Sequence, residues 1–182
     1  MASKTQELSK TVLYTTRTHF YYVLAYAVGL IIFDSWNLIP NDGMQQRWTA
    51  VGLLLLANVA LWYLARNKTT STQYFRVLTL VLIVADIMFA AYNVYLERGM
   101  ASRSVILFAV PIVLSASTLS RRTIYASAFV SAAAYVMAIT RYFTEHYGEG
   151  YKVELYGIAI LYSSLFFVLA ALLWTIVPKK RS

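Results

Sequence analysis

Apolar residues fall along this chain in long continuous runs separated by short polar stretches. Six runs stand out, at 19–36, 48–64, 75–95, 104–119, 124–143 and 155–177. A helix needs about 20 apolar residues to cross the hydrocarbon of a bilayer, and the runs meet or approach that length. The fourth is the shortest and contains Pro111. The runs do not alternate, and they are roughly twice the length of a barrel strand, so the pattern predicts helices. Asn41-Asp42-Gly43 reads as a turn between the first two runs, and KTTST, residues 68–72, as a polar loop between the second and third. Short connections make successive helices antiparallel neighbours. The predicted fold is all-α: one compact polytopic bundle of six transmembrane helices with short loops. It divides into a cytoplasmic N-terminal segment 1–18, a membrane domain 19–177 and a cytoplasmic basic tail 178–182.

Composition agrees with that picture. Of 182 residues, 59% are hydrophobic, more than an ordinary soluble domain carries. The net charge of +8 would suggest nucleic acid in a soluble protein. Here the basic residues lie between the apolar runs, so they speak for membrane topology, and no nucleic-acid partner is expected. Lys4, Lys10, Arg17, Arg66, Lys68, Arg76, Arg121, Arg122, Lys179, Lys180 and Arg181 fall on one side, eleven in all. Arg47, Arg98, Arg103, Arg141 and Lys152, five residues, fall on the other. The positive-inside rule puts the richer side, with both termini, in the cytoplasm. Interfacial belts account for Tyr21, Tyr22, Trp36, Trp48, Trp62, Tyr63, Tyr95 and Trp174. The opening MASKTQELSK is polar and the first apolar run is long enough to span, so no cleavable leader is read there. The expected location is the cytoplasmic membrane of a bacterial cell, with the lipid bilayer itself as the first partner.

Within the third run, LIVADIMFAAYN places Asp86 in the midst of apolar residues. At 1.5 Å per residue it lies about 13 Å from the outer boundary, near the midplane. An ionised aspartate there costs about 2.5–3.5 kcal/mol unless it faces the bundle, finds donors or stays protonated. Thr79, Asp86 and Asn93 are spaced by sevens and share one stripe, which should point inward. Leu80, Ile87 and Val94 form an apolar side available to lipid. By depth alone, Asn58, Tyr135, Ser163 and Ser164 are candidate partners for the carboxyl group. Two roles stay open for Asp86: a structural hydrogen-bonder fixing helix register, or a ligand, proton or switch site.

The fifth run repeats small residues four apart, Ser127/Ser131, Ala128/Ala132 and Ala134/Ala138, a pattern that lets helices approach closely. Packing within the chain is the first reading; a homodimer through this face is the lesser one. Pro111 removes a backbone hydrogen bond and predicts a kink in the fourth run. There is no cysteine, and the two histidines, His19 and His146, stand at a run start and in a loop. No HExxH, GxSxG or phosphate loop occurs. No catalytic residue, metal site or cofactor is therefore expected, and the chain is not read as an enzyme.

From Asp86 to Tyr135 the chain resembles the six-span sensor region of pilus-regulating, PilS-type bacterial histidine kinases. The residues that carry the resemblance are Asp86, the RGMAS turn ending at Ser102, VPIVLSAS around Pro111, the pair Arg121-Arg122, and the alanines from Ala126 onward. The double glycine of that family is Arg98-Gly99 here, and its proline after the serine is Arg103. The family continues into a kinase region that this sequence does not contain. The resemblance implies a non-catalytic sensory or regulatory module that binds a membrane-embedded helix, a lipid or a small signal. Its partner would be a single-span membrane protein, with a pilin-like helix as precedent, or a signalling protein in trans. Two alternatives remain at this level. A solute-binding subunit of a vitamin-type transporter has similar length and charge, although Ala25 and Ala27 in the first run lack the four-residue spacing of its docking motif. A structural or assembly subunit is the other.

Overall fold

The computed structural model describes residues 2–36, 38, 41–66, 71–97, 99, 102–118, 120–146 and 153–177. Those residues are helical almost throughout, and no strand occurs among them. The elements are α1 (Ala2–Ser35), α2 (Asn41–Ala65), α3 (Thr72–Leu96), a 3-10 helix (Arg103–Phe108), α4 (Ala109–Ser115), a second 3-10 turn (Ala116–Thr118), α5 (Arg121–Glu145) and α6 (Val153–Ile176). Five helices, α1, α2, α3, α5 and α6, are long and apolar enough to cross a membrane. The fourth run does not form one long α-helix as the other runs do. It becomes the composite segment Arg103–Thr118, half of it wound in the tighter 3-10 form.

Several boundaries differ from the apolar runs, and each difference has a local cause. Helix α1 begins at Ala2, so the polar opening is the first part of a 34-residue helix. Its buried positions Leu8, Val12, Thr16, His19, Val23 and Leu30 form one stripe that starts before the apolar run does. His19 thus lies mid-helix and buried. Asn41-Asp42-Gly43, expected as a turn, is the first turn of α2, a position where asparagine and aspartate are favoured. Of the KTTST loop, residues 68–70 lie outside the described residues, and α3 starts at Thr72.

Tertiary contacts group the chain into two compact units, Met1–Ala85 and Asp86–Ser182. The division falls within α3, which gives its first half to one unit and its second half to the other.

In the first unit α1 packs on α2. The buried positions of α2 are Met44, Arg47, Val51, Leu54, Asn58, Leu61 and Ala65. Their spacing alternates three and four, the seam of a coiled-coil-like contact. Neighbouring α2 positions such as Leu53, Leu56 and Val59 are equally apolar yet exposed. That is why the sequence shows a uniform run and no amphipathic period.

In the second unit α5 packs on α4 and α6. Its two ends are tied by separate contacts. At the end of α5 near Glu145, the Tyr95 hydroxyl donates to the Glu145 carboxylate, and Arg141 Nε pairs with Glu145 Oε1 at 3.0 Å. At the end near Arg121, Nη2 of that arginine donates to the Val177 carbonyl just beyond α6, 3.1 Å away. The same guanidinium lies 3.9 Å over the Trp174 ring. A cation at a helix C-terminus satisfies an orphan carbonyl and complements the helix dipole. Helices α5 and α6 therefore run antiparallel. The close of α3 meets the close of α5, so Arg103–Thr118 must run back along the whole height between them.

Candidate functional site

Helix α3 carries the polar residues that the sequence singled out. Thr79 is buried in the first unit, and its hydroxyl donates to the Phe75 carbonyl at 3.1 Å. Asp86 and Asn93, in the second unit, are 1% and 0% exposed. Asn93 Nδ2 donates to the Phe89 carbonyl at 2.8 Å, which ties that amide to its own helix. The stripe is thus inward-facing along its length. The opposite expectation for Leu80, Ile87 and Val94 holds only for Leu80, which is exposed; Ile87 and Val94 are buried. A residue one position on is turned by only about 100° and still falls within a wide buried arc. The outward face of α3 is Val77, Leu80, Val81, Val84, Met88 and Tyr92.

The other candidates are distributed between the units. Asn58 is buried in the seam of α2 in the first unit. Tyr135 is fully buried in the second, at the centre of an aromatic cluster. Its ring lies 6.0 Å from Phe108, 5.9 Å from Tyr162 and 6.1 Å from Phe166, all in tilted-edge arrangements. Edge-to-face pairs of this kind add stabilisation beyond simple burial. Neither the Tyr135 hydroxyl nor that of Ser131, one turn earlier on the same face, has a hydrogen-bond partner among the described residues. Ser163 is half-buried, whereas Ser164 is exposed, so Ser164 is turned away from the interior and drops out as a donor to a buried acid.

Pro111 is the third residue of α4, which continues directly from the 3-10 helix with Phe108 already in helical conformation, so its missing N–H leaves a carbonyl of the preceding turn without that bond. The change of helix type falls just before it, between Phe108 and Ala109. Its carbonyl accepts a hydrogen bond from Ser127 Oγ at 3.1 Å. The small residues of α5 face inward here: Ser127, Ala128, Ser131, Ala132 and Ala138 are buried, and α5 uses them against neighbours within its own unit.

Two features go beyond what the sequence singled out. The first is the hydrogen bonding in the turn after α3, which the sequence marked only as a turn ending at Ser102. Gly99 has φ +63°, a left-handed conformation that glycine adopts freely. Ser102 Oγ donates to Glu97 Oε2 at 2.9 Å and accepts from the Ser104 N–H at 3.0 Å. The Ser104 N–H also reaches Glu97 Oε2, at 3.1 Å. One carboxylate and one hydroxyl thus cap the start of the 3-10 helix. Near it, His146 stacks on Tyr142 with ring centroids 4.3 Å apart.

The second is a groove of about 850 Å³ in the first unit, between the early part of α1 and the end of α2. Leu13, Phe20 and Val59 give it apolar walls, Tyr14, Tyr21 and Trp62 aromatic ones, and Arg17 and Arg66 charge. The buried Asn58 lines it as well. No sequence motif marks it, because its residues come from two helices about forty positions apart.

Among the described residues no group of three or more histidine, cysteine or acidic side chains is placed to hold a metal ion. Comparison with protein-family models, with curated proteins and with solved structures finds no match for this chain.

Proposed function

We propose that the chain is a non-catalytic integral membrane module with a sensory or regulatory role, in which Asp86 is the responsive group. Membrane residence is supported by an inversion of the usual hydrophobic rule. Helix α6 is the most apolar of the candidate spans, yet only 11% of its apolar stretch is buried within the chain. Ile160, Leu161, Leu165, Leu172 and Ile176 all point outward. Each would forgo about 1.5–3 kcal/mol of burial in water, and in hydrocarbon that loss vanishes. The composite Arg103–Thr118 supports a sixth crossing. Nine of its residues are 3-10, rising about 2.0 Å each, and seven are α, rising about 1.5 Å. Together they extend about 28 Å, close to the hydrocarbon thickness of about 30 Å. An even number of crossings agrees with the basic-residue bias and with both termini in the cytoplasm.

The single observation that carries the functional reading is the full burial of Asp86 in the apolar stretch 82–91 of α3. Ionisable groups at such depth are expensive and mark functional sites by default. The resemblance to PilS-type sensor regions supports the same role and suggests a single-span helix as partner. Mass spectrometry of gently solubilised protein tests it. Lipid and a single-span peptide should accompany the wild type, and Asp86→Asn should lose the peptide while keeping its thermal midpoint within about 2 °C, because the amide preserves size and hydrogen-bonding capacity. A stoichiometric vitamin-sized solute would defeat this proposal in favour of a transporter subunit. Unaltered peptide binding by Asp86→Asn would make the carboxylate structural.

A further inference from the structure

We infer that the groove between α1 and α2 is a binding site for one anionic phospholipid. The inference rests on the membrane reading above and concerns a different part of the molecule from Asp86. Arg17 and Arg66 both line the groove and both are exposed. Neither has a carboxylate partner among the described residues. The Arg66 Cζ lies over the Trp62 ring, 3.5 Å from its centroid. That cation–π contact holds the charge at the groove, and arginine is the side chain whose N–H fork suits a phosphate.

What lies beside the two charges decides the class of occupant. Leu13, Phe20 and Val59 give the groove apolar walls beside the charges, and Tyr14, Tyr21 and Trp62 flank it. Tyrosine and tryptophan are the residues of the headgroup level, and apolar walls beside two cations match a ligand that carries both an acyl chain and a phosphate. A soluble anion would use the arginines and leave the apolar walls idle. The floor is also polar at one point. Asn58 sits eight positions before Arg66, about 12 Å deeper along α2. Its Oδ1 is buried and has no hydrogen-bond partner among the described residues. The groove thus carries Arg17 midway along its α1 wall and Arg66 at the end of its α2 wall, with apolar and aromatic side chains between and beside them.

The position suits the charge bias as well. Arg17 and Arg66 both belong to the side richer in basic residues, which faces the anionic cytoplasmic leaflet. Each arginine at such a surface contributes enough for two of them to give roughly 30-fold preference for an anionic over a zwitterionic lipid.

Native mass spectrometry of the purified full chain, titrated with phosphatidylglycerol or phosphatidylcholine of matched acyl chains, tests the site. The wild type should retain one phosphatidylglycerol with a preference of roughly 30-fold. Arg17→Gln with Arg66→Gln should reduce that preference to about 2-fold or less, and Arg76→Gln with Arg122→Gln, at exposed arginines outside the groove, should leave it intact. Equal retention of the two lipids by the wild type overturns the inference without reference to any variant. So does an equal loss in both double variants, which would make the effect one of net charge. A dimer that the groove variant alone dissociates would assign the groove to a second copy of the chain. Release of the protein from membranes by alkaline carbonate would instead remove the membrane reading itself, which separates the two failures.

Discussion

At Gly99 a single backbone angle decides how the chain leaves α3. With φ at +63° and the Tyr142 side chain 3.5 Å from where a Cβ would stand, an added methyl group fits in space but not in torsion. Gly99→Ala should therefore lower stability by about 1–2 kcal/mol, the usual cost of a left-handed non-glycine residue. A thermal scan in detergent would show it as a lowered midpoint, and an unchanged midpoint would mean that the turn relaxes freely. This is also where residue-level reading of the sequence reached its limit. Asp86, Asn93 and Thr79 were legible because a polar residue in an apolar run announces itself, and sevenfold spacing fixes their common face. Ser164 misled because depth along a helix says nothing about rotation around it. The capping of Ser104 by Glu97 and Ser102 was illegible, since it depends on a turn that folds three ordinary residues onto each other.

The elements differ in how well the apolar pattern reported them. Helices α2, α3, α5 and α6 begin and end within a few residues of their apolar runs, apart from the start of α2. Helix α1 does not, because a helix needs only one buried stripe, and that stripe begins at Leu8 among polar neighbours. The seam of α2 was invisible for the opposite reason: both of its sides are apolar, so no period stands out. In the fourth run, Pro111 predicts a kink, and a change of winding falls between Phe108 and Ala109, in the turn that its ring and missing N–H disturb. The consequence for a substitution is specific. Pro111→Ala restores an N–H within a continuous helical segment and should raise stability, whereas Ala128→Pro, at a fully buried position inside α5, should lower it by about 3 kcal/mol or more. Unfolding midpoints of the two variants make the comparison, and a lowered midpoint for Pro111→Ala would mean that the 3-10 winding needs the proline.

For the whole molecule, the membrane reading proposed above turns on whether Arg103–Thr118 supplies a sixth crossing beside the five long apolar helices. The chain contains no cysteine, so single introduced cysteines can be read without background. Arg103→Cys and Arg122→Cys, at the two ends of that segment, should react with a membrane-impermeant thiol reagent from opposite faces of oriented vesicles. Labelling from the same face would leave five crossings and separate the termini. A segment so wound also has a mechanical property. Rewinding its nine 3-10 residues into α geometry would shorten it by about 4.5 Å, and the reverse change would restore the reach. On the membrane reading, that change equals a mismatch of a few ångströms in bilayer thickness, which a regular α-helix meets by tilting.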